Sequence, residues 1–358
     1  MISFDSLFGV KSKKKNNVDT YSKIKKNIPW VDKYRPKKIN DIIYQDEVIK
    51  MLSQTLKDGN LPHLLFHGPP GTGKTSTILA IAKELYGPNV YYERVKELNA
   101  SDERGINVVR DKIVKDAKSA IGKKDPNYLC PPYRIIILDE ADAMTTEAQS
   151  ALRKVMEEYS TITRFCFICN YINKIIDPIT SRCVKFRFKP LKHSCMKEKL
   201  KDIAIKEKIK LSDEALNTIV ETSEGDMRKA ITFLQNLGYT YTFDKKDITA
   251  NDVYESANYI KKDISEYIWN VCIKNKSTTS TDILNLTKKI KQYGYPIHNI
   301  LNTLIKKVII TTDLNDKQKS LISKDFSDTE KKLIDGADEY LQLLNIFSSL
   351  KVHSCFLY

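Results

Sequence analysis

Between Leu64 and Lys189 short apolar runs alternate with stretches whose apolar residues recur every three or four positions. The runs Leu64–Phe66, Val90–Leu98, Ile135–Leu138, Phe165–Cys169 and Val184–Phe188 predict five strands. Strands separated by helical patterns predict a parallel sheet covered by helices. One of the helical segments, Thr145–Tyr159, carries Ala148, Leu152, Val155 and Tyr159 on one face and has Thr146 and Gln149 in capping-box spacing. Another is the run Thr75–Leu85. Upstream, Ile28-Pro-Trp-Val-Asp-Lys-Tyr-Arg-Pro36 reads as extended, because each proline biases its predecessor away from helix. Beyond Pro190 strand signals nearly vanish. Lys-rich amphipathic helices follow, one opened by Ser212 and one by Asp226, and later helical runs cover Ile297–Ile310 and Thr329–Leu350. The expected division is a tail over 1–28, an α/β domain over 29–190, a small helical domain over 191–252 and a second helical domain over 253–358.

Length agrees with several domains, since a single hydrophobic core usually stops growing before 358 residues. No apolar run approaches the ~20 residues needed to cross a bilayer. The first ten residues lack the charged and apolar regions of a secretory signal, so an intracellular location is expected. Seven cysteines without paired spacing make a poor disulfide framework. Cys166 and Cys169 lie in the apolar run Arg164-Phe-Cys-Phe-Ile-Cys169, which reads as a buried strand and not a zinc knuckle. The net charge of +14, from 59 basic and 45 acidic residues, suits a polyanionic partner. Part of that excess sits in Lys11–Lys26, which reads as a flexible basic arm.

Two motifs carry chemistry. Gly68-Pro-Pro-Gly-Thr-Gly-Lys-Thr75 fits the phosphate-binding pattern G-x-x-x-x-G-K-[ST] and stands between a strand and a helix, as a P-loop must. Its glycines let backbone N–H groups of Gly68, Gly71, Thr72, Gly73 and Ser76 close around phosphate oxygens, while Pro69 and Pro70, which have no N–H, shape the loop. Lys74 reaches the outer phosphates of ATP, and Thr75 holds Mg²⁺. The second motif, Arg134-Ile-Ile-Ile-Leu-Asp-Glu-Ala-Asp142, is a buried strand that delivers Asp139 and Glu140 to its carboxyl end, where parallel sheets bind ligands. Asp139 is placed to hold the magnesium and Glu140 to deprotonate the attacking water. Three further candidates are ambiguous on spacing alone. Asn170 follows a strand as a turn residue would, Arg182 could be an ordinary surface arginine, and Arg228 occupies a first helical turn, a poor place for a cation without an anion nearby.

The words Trp30-Val-Asp-Lys-Tyr-Arg-Pro36, Gly68–Thr75, Glu97-Leu-Asn-Ala-Ser-Asp-Glu-Arg-Gly105, Leu138–Met144 and Ser181-Arg-Cys183 occur in one order. In that order the chain resembles the small subunits of replication factor C, the eukaryotic clamp loader, over everything after about residue 28. The resemblance implies an AAA+ fold: a P-loop α/β domain, a helical lid and an all-α collar. It implies that Val31, Tyr34 and Arg35 line the base and ribose side of the nucleotide. Asn170 would be a first sensor, Arg228 a second sensor facing the γ-phosphate, and Arg182 a finger reaching into a neighbouring subunit's site. Asn99 would restrain the catalytic glutamate until DNA is bound. Arg104 and Arg110 would track DNA phosphates without reading sequence. The implied partners are sister subunits in a hetero-pentamer, the sliding clamp (PCNA) and primer-template DNA, in the nucleus, for replication and repair synthesis. A subunit that binds nucleotide without turnover, and a helicase-type or unfoldase motor, are the competing readings. Intact Lys74, Asp139, Glu140 and Asn170 oppose the first, and the collar-like C-terminus opposes the second.

Overall fold

The computed structural model describes residues 28–42, 45–101, 112–119, 122, 124–241 and 247–355. The basic arm and the two expected DNA contacts, Arg104 and Arg110, lie outside the described residues. The chain divides into two compact units, Met1–Cys195 with Gly225–Thr232, and Met196–Glu224 with Phe233–Tyr358.

In the first unit five parallel strands form one sheet: β1 (Leu64–His67), β2 (Val95–Asn99), β3 (Arg134–Asp139), β4 (Thr163–Cys169) and β5 (Val184–Arg187). Their order is β2-β3-β4-β1-β5, so the carboxyl ends of β3, β4 and β1 stand side by side. The central strands are apolar throughout because both faces are covered. Ile135, Ile137, Cys166 and Ile168 face one core with Leu64, Phe66, Ile78 and Leu85. Ile136, Leu138, Phe165, Phe167 and Cys169 face the other with Leu65, Leu152 and Ile179. Cys166 and Cys169 are thus packed strand residues, and burial pushes the Cys169 thiol up to about 12.

Three local expectations are corrected. The first concerns Ile28–Pro36, which is not extended throughout: Trp30–Lys33 forms one helical turn (α1) behind Pro29, whose own ψ of 141° stays extended while leaving the residues after it free to coil. The second is the early start given to β2. The helix that opens at Lys74 reaches Arg94, bending at Gly87 (φ 67°, ψ 172°) just before Pro88. A proline is tolerated in the first turn of a helical segment, and Val90 and Arg94 then share a buried face four residues apart, so the apolar pattern served helix first and strand afterwards. Gly87 is required here, since a Cβ would lie 2.3 Å from the Tyr128 ring. The third is the cap of the helix Thr146–Glu158: Thr145, not Thr146, accepts the Ala148 N–H.

With α2 as Asp46–Asp58 and α3 as Lys74–Arg94, the remaining helices of the first unit are α4 (Val114–Lys118), α5 (Thr146–Glu158) and α6 (Asp177–Thr180). The helix α7 (His193–Lys206) begins at its end, and the start of α9 (Met227–Tyr241) returns to it. In the second unit Ser212 caps α8 (Asp213–Ser223) as expected, its side chain accepting the Ala215 N–H. Further on come α10 (Ala250–Ser256), α11 (Lys262–Trp269), α12 (Ser280–Gln292), α13 (Ile297–Ile310), α14 (Asp316–Ile334) and α15 (Glu339–Cys355). Trp269, Leu286, Leu304, Phe326, Ile346 and Phe347 form their core. The expected single run Thr329–Leu350 is two helices, because Gly336 takes φ 89° and ends α14. Among the described residues no helix is long and apolar enough to cross a membrane.

One buried titratable group on β1's approach gives a pH prediction. His63 Nδ1 accepts the Phe165 N–H at 3.1 Å, and burial, with the Arg164 charge, lowers its pKa to about 4. An unfolded histidine titrates near ~6.5. Between those values the unfolded chain takes up a proton that the folded chain refuses, so stability is present above the upper value and is lost as pH falls toward the lower. His63→Gln keeps an acceptor but does not titrate. The gap in urea midpoint between parent and variant is therefore expected to shift in the variant's favour from pH 7 to pH 5. A gap that stays constant would contradict this account of His63.

Candidate active site

The loop after β1 is shaped by three glycines with positive φ: Gly68 (144°), Gly71 (66°) and Gly73 (94°). A Cβ on Gly68 would sit 2.3 Å from the Phe188 carbonyl oxygen, and one on Gly71 only 1.7 Å from Asp226 Oδ1. Gly71 also accepts the Met227 N–H at 3.3 Å, which brings the start of α9 against the loop. Gly73 meets nothing within 4 Å and is needed for its left-handed conformation at the cap of α3. Thr72 is buried and donates to the Pro69 carbonyl at 2.9 Å. Pro69 and Pro70 are exposed, while Thr75 and Ser76 are half-buried on the first turn of α3.

Lys74 is 7% exposed. Its ammonium donates to the carbonyls of Gly68 (2.7 Å) and Pro69 (2.8 Å) and to Asn170 Oδ1 (2.9 Å). Burial lowers its pKa; the charges of Asp139, Cys169 and Asp142 oppose that effect and Arg228 adds to it. Arg228 therefore lies within electrostatic reach of Lys74, as do Asp139 and Asp142. Beside it Thr75 Oγ1 donates to Asp139 Oδ2 at 2.7 Å, and the Glu140 N–H donates to Asp139 Oδ1 at 2.9 Å. Two hard oxygen donors one hydrogen bond apart are the donor set that a magnesium ion takes. The Glu140 carboxylate is exposed, on a residue in the left-handed conformation (φ 54°, ψ 38°) that turns the chain sharply out of β3. A non-glycine residue there costs on the order of 1 kcal/mol, a strain found mostly at functional turns.

The remaining candidates fall at three places. Asn99 ends β2 opposite Asp139, and its amide oxygen accepts the Ser101 N–H (3.0 Å) and hydroxyl (2.8 Å). Val31, Tyr34 and Arg35 are half-buried on and after α1, and Arg35 forms an ion pair with Asp32 at 3.2 Å. The Arg35 charge also opposes the rise that burial gives the Tyr91 and Glu97 side chains, which sets it beside the end of α3 and the middle of β2. Arg182 has partners of its own. Its guanidinium, 38% exposed, donates to Glu157 Oε1 at 2.5 Å and to the Pro178 carbonyl at 2.7 Å.

Sequence reasoning missed the groups that hold these side chains. Asp142 Oδ2 accepts the N–H groups of Asn170 (3.3 Å) and Tyr171 (3.2 Å). Gln149, 1% exposed, donates to the Lys174 carbonyl at 3.0 Å and accepts the Ile176 N–H at 2.9 Å. Glu157 holds Arg182. All three were visible as polar residues within or just after a recognised motif, but nothing in their spacing identifies the loop each would meet.

Known proteins resemble this chain in sequence. Residues 64–191 match the ATPase family associated with various cellular activities (AAA), residues 198–237 the RCF1/5-like AAA+ ATPase lid domain, and residues 260–349 the Replication factor C C-terminal domain. Over 325 residues the chain is 48% identical to replication factor C subunit 4 of Arabidopsis thaliana, covering 90% of this chain and 94% of that one. It is 46% identical to replication factor C subunit 4 of Homo sapiens, over 91% of this chain and 88% of that one. Replication factor C subunit 2 of Oryza sativa subsp. japonica is also 46% identical, over 89% and 93%. Among solved structures, the RuvB Holliday junction branch migration motor of Thermotoga maritima superposes with a TM-score of 0.51 at 20% identity, over 66% of this chain and 79% of that one. At that identity the likeness speaks for the fold alone.

Proposed function

This chain belongs to the replication factor C family of AAA+ ATPases, and from that membership and the geometry around Lys74 we propose that it is an ATP-hydrolysing subunit of a hetero-pentameric clamp loader. It binds nucleotide and is an ATPase, as its family is. Within the ring, ATP binding opens the sliding clamp (PCNA), and hydrolysis on primer-template DNA releases it. The nucleus is the expected place of work. The proposed division into nucleotide domain, lid and collar runs over 29–190, 191–252 and 253–358, around the matched segments 64–191, 198–237 and 260–349.

The observation that carries the mechanism is the meeting of two pairs far apart in the chain, Lys74 with Asn170 and Thr75 with Asp139. Lys74 and the N–H groups of the loop hold the outer phosphates. Thr75 and Asp139 would hold Mg²⁺, which would supply charge neutralisation to the phosphoryl group. Glu140 takes the proton from the attacking water. Asn170 orients groups at the γ-phosphate, with Arg228 closing from α9. Val31, Tyr34 and Arg35 face the base and ribose, and Asn99 restrains Glu140. Arg104 and Arg110 bind DNA phosphates irrespective of sequence.

Lys74→Ala is expected to lower nucleotide affinity by at least ~100-fold, since a charged hydrogen-bonded contact to the phosphates is lost. Titration of the full chain with a fluorescent ATP analogue measures this. Assembled with its sister subunits, the variant is expected to lose ATP-dependent loading of the clamp onto primed DNA. Unchanged affinity would remove the P-loop assignment. Lost affinity with normal loading would remove this site from the loading cycle.

A further inference from the structure

We propose that Asp142 is a positioning residue for ATP hydrolysis: its carboxylate fixes the first two residues after β4, so that the Asn170 side chain meets Lys74. This rests on the reading of Lys74 and Asn170 as groups that face the γ-phosphate.

The need for such a device follows from where the sheet ends. On one side of β4 the ladder with β3 runs to the pair Leu138–Phe167, and on the other the ladder with β1 runs to His67–Cys169. Among the described residues no strand pairs with the backbone beyond Cys169. Tyr171 is 65% exposed, so apolar packing contributes little to holding this stretch. The N–H groups of Asn170 and Tyr171 both converge on Asp142 Oδ2, at 3.3 and 3.2 Å.

Asp142 is itself held in place. It lies in the turn Ala141–Ala143, closed by the Ala143 N–H donating to the Glu140 carbonyl (2.9 Å) and the Met144 N–H donating to the Ala141 carbonyl (3.2 Å). The same short turn therefore begins at Glu140 and ends on the anchor of Asn170. One carboxylate joins the segment that presents the general base to the segment that presents the polar group on Lys74. A displacement of about 1 Å in a positioning contact can cost ~100-fold in rate, so the anchor matters for turnover without touching the nucleotide.

Two properties of Asp142 are separable. It supplies an acceptor at a fixed point, and it places a negative charge near Lys74, where it opposes the effect of burial. Asp142→Asn keeps an acceptor oxygen at that point and removes the charge. Asp142→Glu keeps the charge and moves the oxygens out by one methylene. In the chain assembled with its sister subunits, Asp142→Asn is expected to keep kcat within ~3-fold of the parent, whereas Asp142→Glu and Asp142→Ala lower it by ~10-fold to ~100-fold. Nucleotide affinity is expected to hold within ~3-fold in all three, so the loss falls on kcat alone. Residues acting as one unit are non-additive, so Asp142→Glu combined with Asn170→Ala is expected to be no slower than Asn170→Ala alone.

The reverse order, with Glu fast and Asn slow, would show that charge and not the anchoring acceptor is what turnover needs, and would overturn the proposal. Additive losses in the double variant would overturn it as well. Parental turnover in Asn170→Ala would remove the reading on which the proposal stands, an outcome distinct from either. Because the Asn and Glu variants decide the question between them, an unfolded Asp142→Ala protein does not obscure the answer.

Discussion

Replacing Arg182 with alanine is expected to leave ATP binding by this chain unchanged and to lower hydrolysis at the adjoining subunit by ~10³-fold or more, the range found for arginines that neutralise charge on a transferred phosphoryl group. The Arg182 side chain is partly exposed and is steadied by Glu157 and the Pro178 carbonyl. An arginine serving only to steady that surface would give a different result: exposed ion pairs contribute about 0–1 kcal/mol, so its loss would change little at any site. The measurement compares two complexes. One carries Arg182→Ala, and the other adds the neighbour's own catalytic-glutamate substitution. If both groups serve one site, the second substitution costs little beyond the first. Additive losses in DNA- and clamp-stimulated turnover would place Arg182 outside the neighbour's site. They would also remove the reason to expect that this ATPase works only inside a ring.

Glu140→Gln is expected to lower hydrolysis at this chain's own site by ~10²-fold to ~10⁴-fold, the usual contribution of a positioned general base, because an amide cannot accept the proton of the attacking water. Nucleotide affinity is expected to persist. On the proposed reading Lys74 and the loop hold the phosphates, and Thr75 and Asp139, which hydrogen-bond to each other, would hold the magnesium without Glu140. The backbone supports this separation of roles. Glu140 binds Asp139 through its N–H group, which the substitution leaves in place, while its side chain projects from an exposed turn. Nucleotide titration and single-turnover hydrolysis, run on the same assembled complex, distinguish the outcomes. A variant that lost ATP affinity and kept its turnover would make Glu140 a metal-side or structural residue.

Much of this site was readable because P-loop chemistry is local. The loop Gly68–Gly73, Lys74 and Thr75 are contiguous, and each has a reason of its own: left-handed backbone at three glycines, a cation for phosphate, a hydroxyl for magnesium. Asp139 and Glu140 stand at the end of the short apolar run Ile135–Leu138, whose β-branched residues favour a buried strand. The strand start given as Val90 was wrong because the mixed stretch Val90–Arg94 suits helix and strand alike, and the contact that fixes the bend, Gly87 against Tyr128, lies 41 positions apart in the chain numbering. The break at Gly336 was missed because one glycine inside a helical pattern can be tolerated or can end the helix.

What the sequence determined by itself was the inventory of reacting groups and the family order of its motifs, since both depend on neighbouring residues. Which distant residues meet was decided only by the sheet. Thr75 and Asp139 are 64 positions apart and Lys74 and Asn170 are 96, yet each pair touches because β1, β4 and β3 end side by side. The same juxtaposition gave Asp142 its two N–H partners and made it a candidate anchor. Strand order in a parallel sheet is set by long-range burial of both faces, and those pairings leave no mark in the local spacing of a single chain.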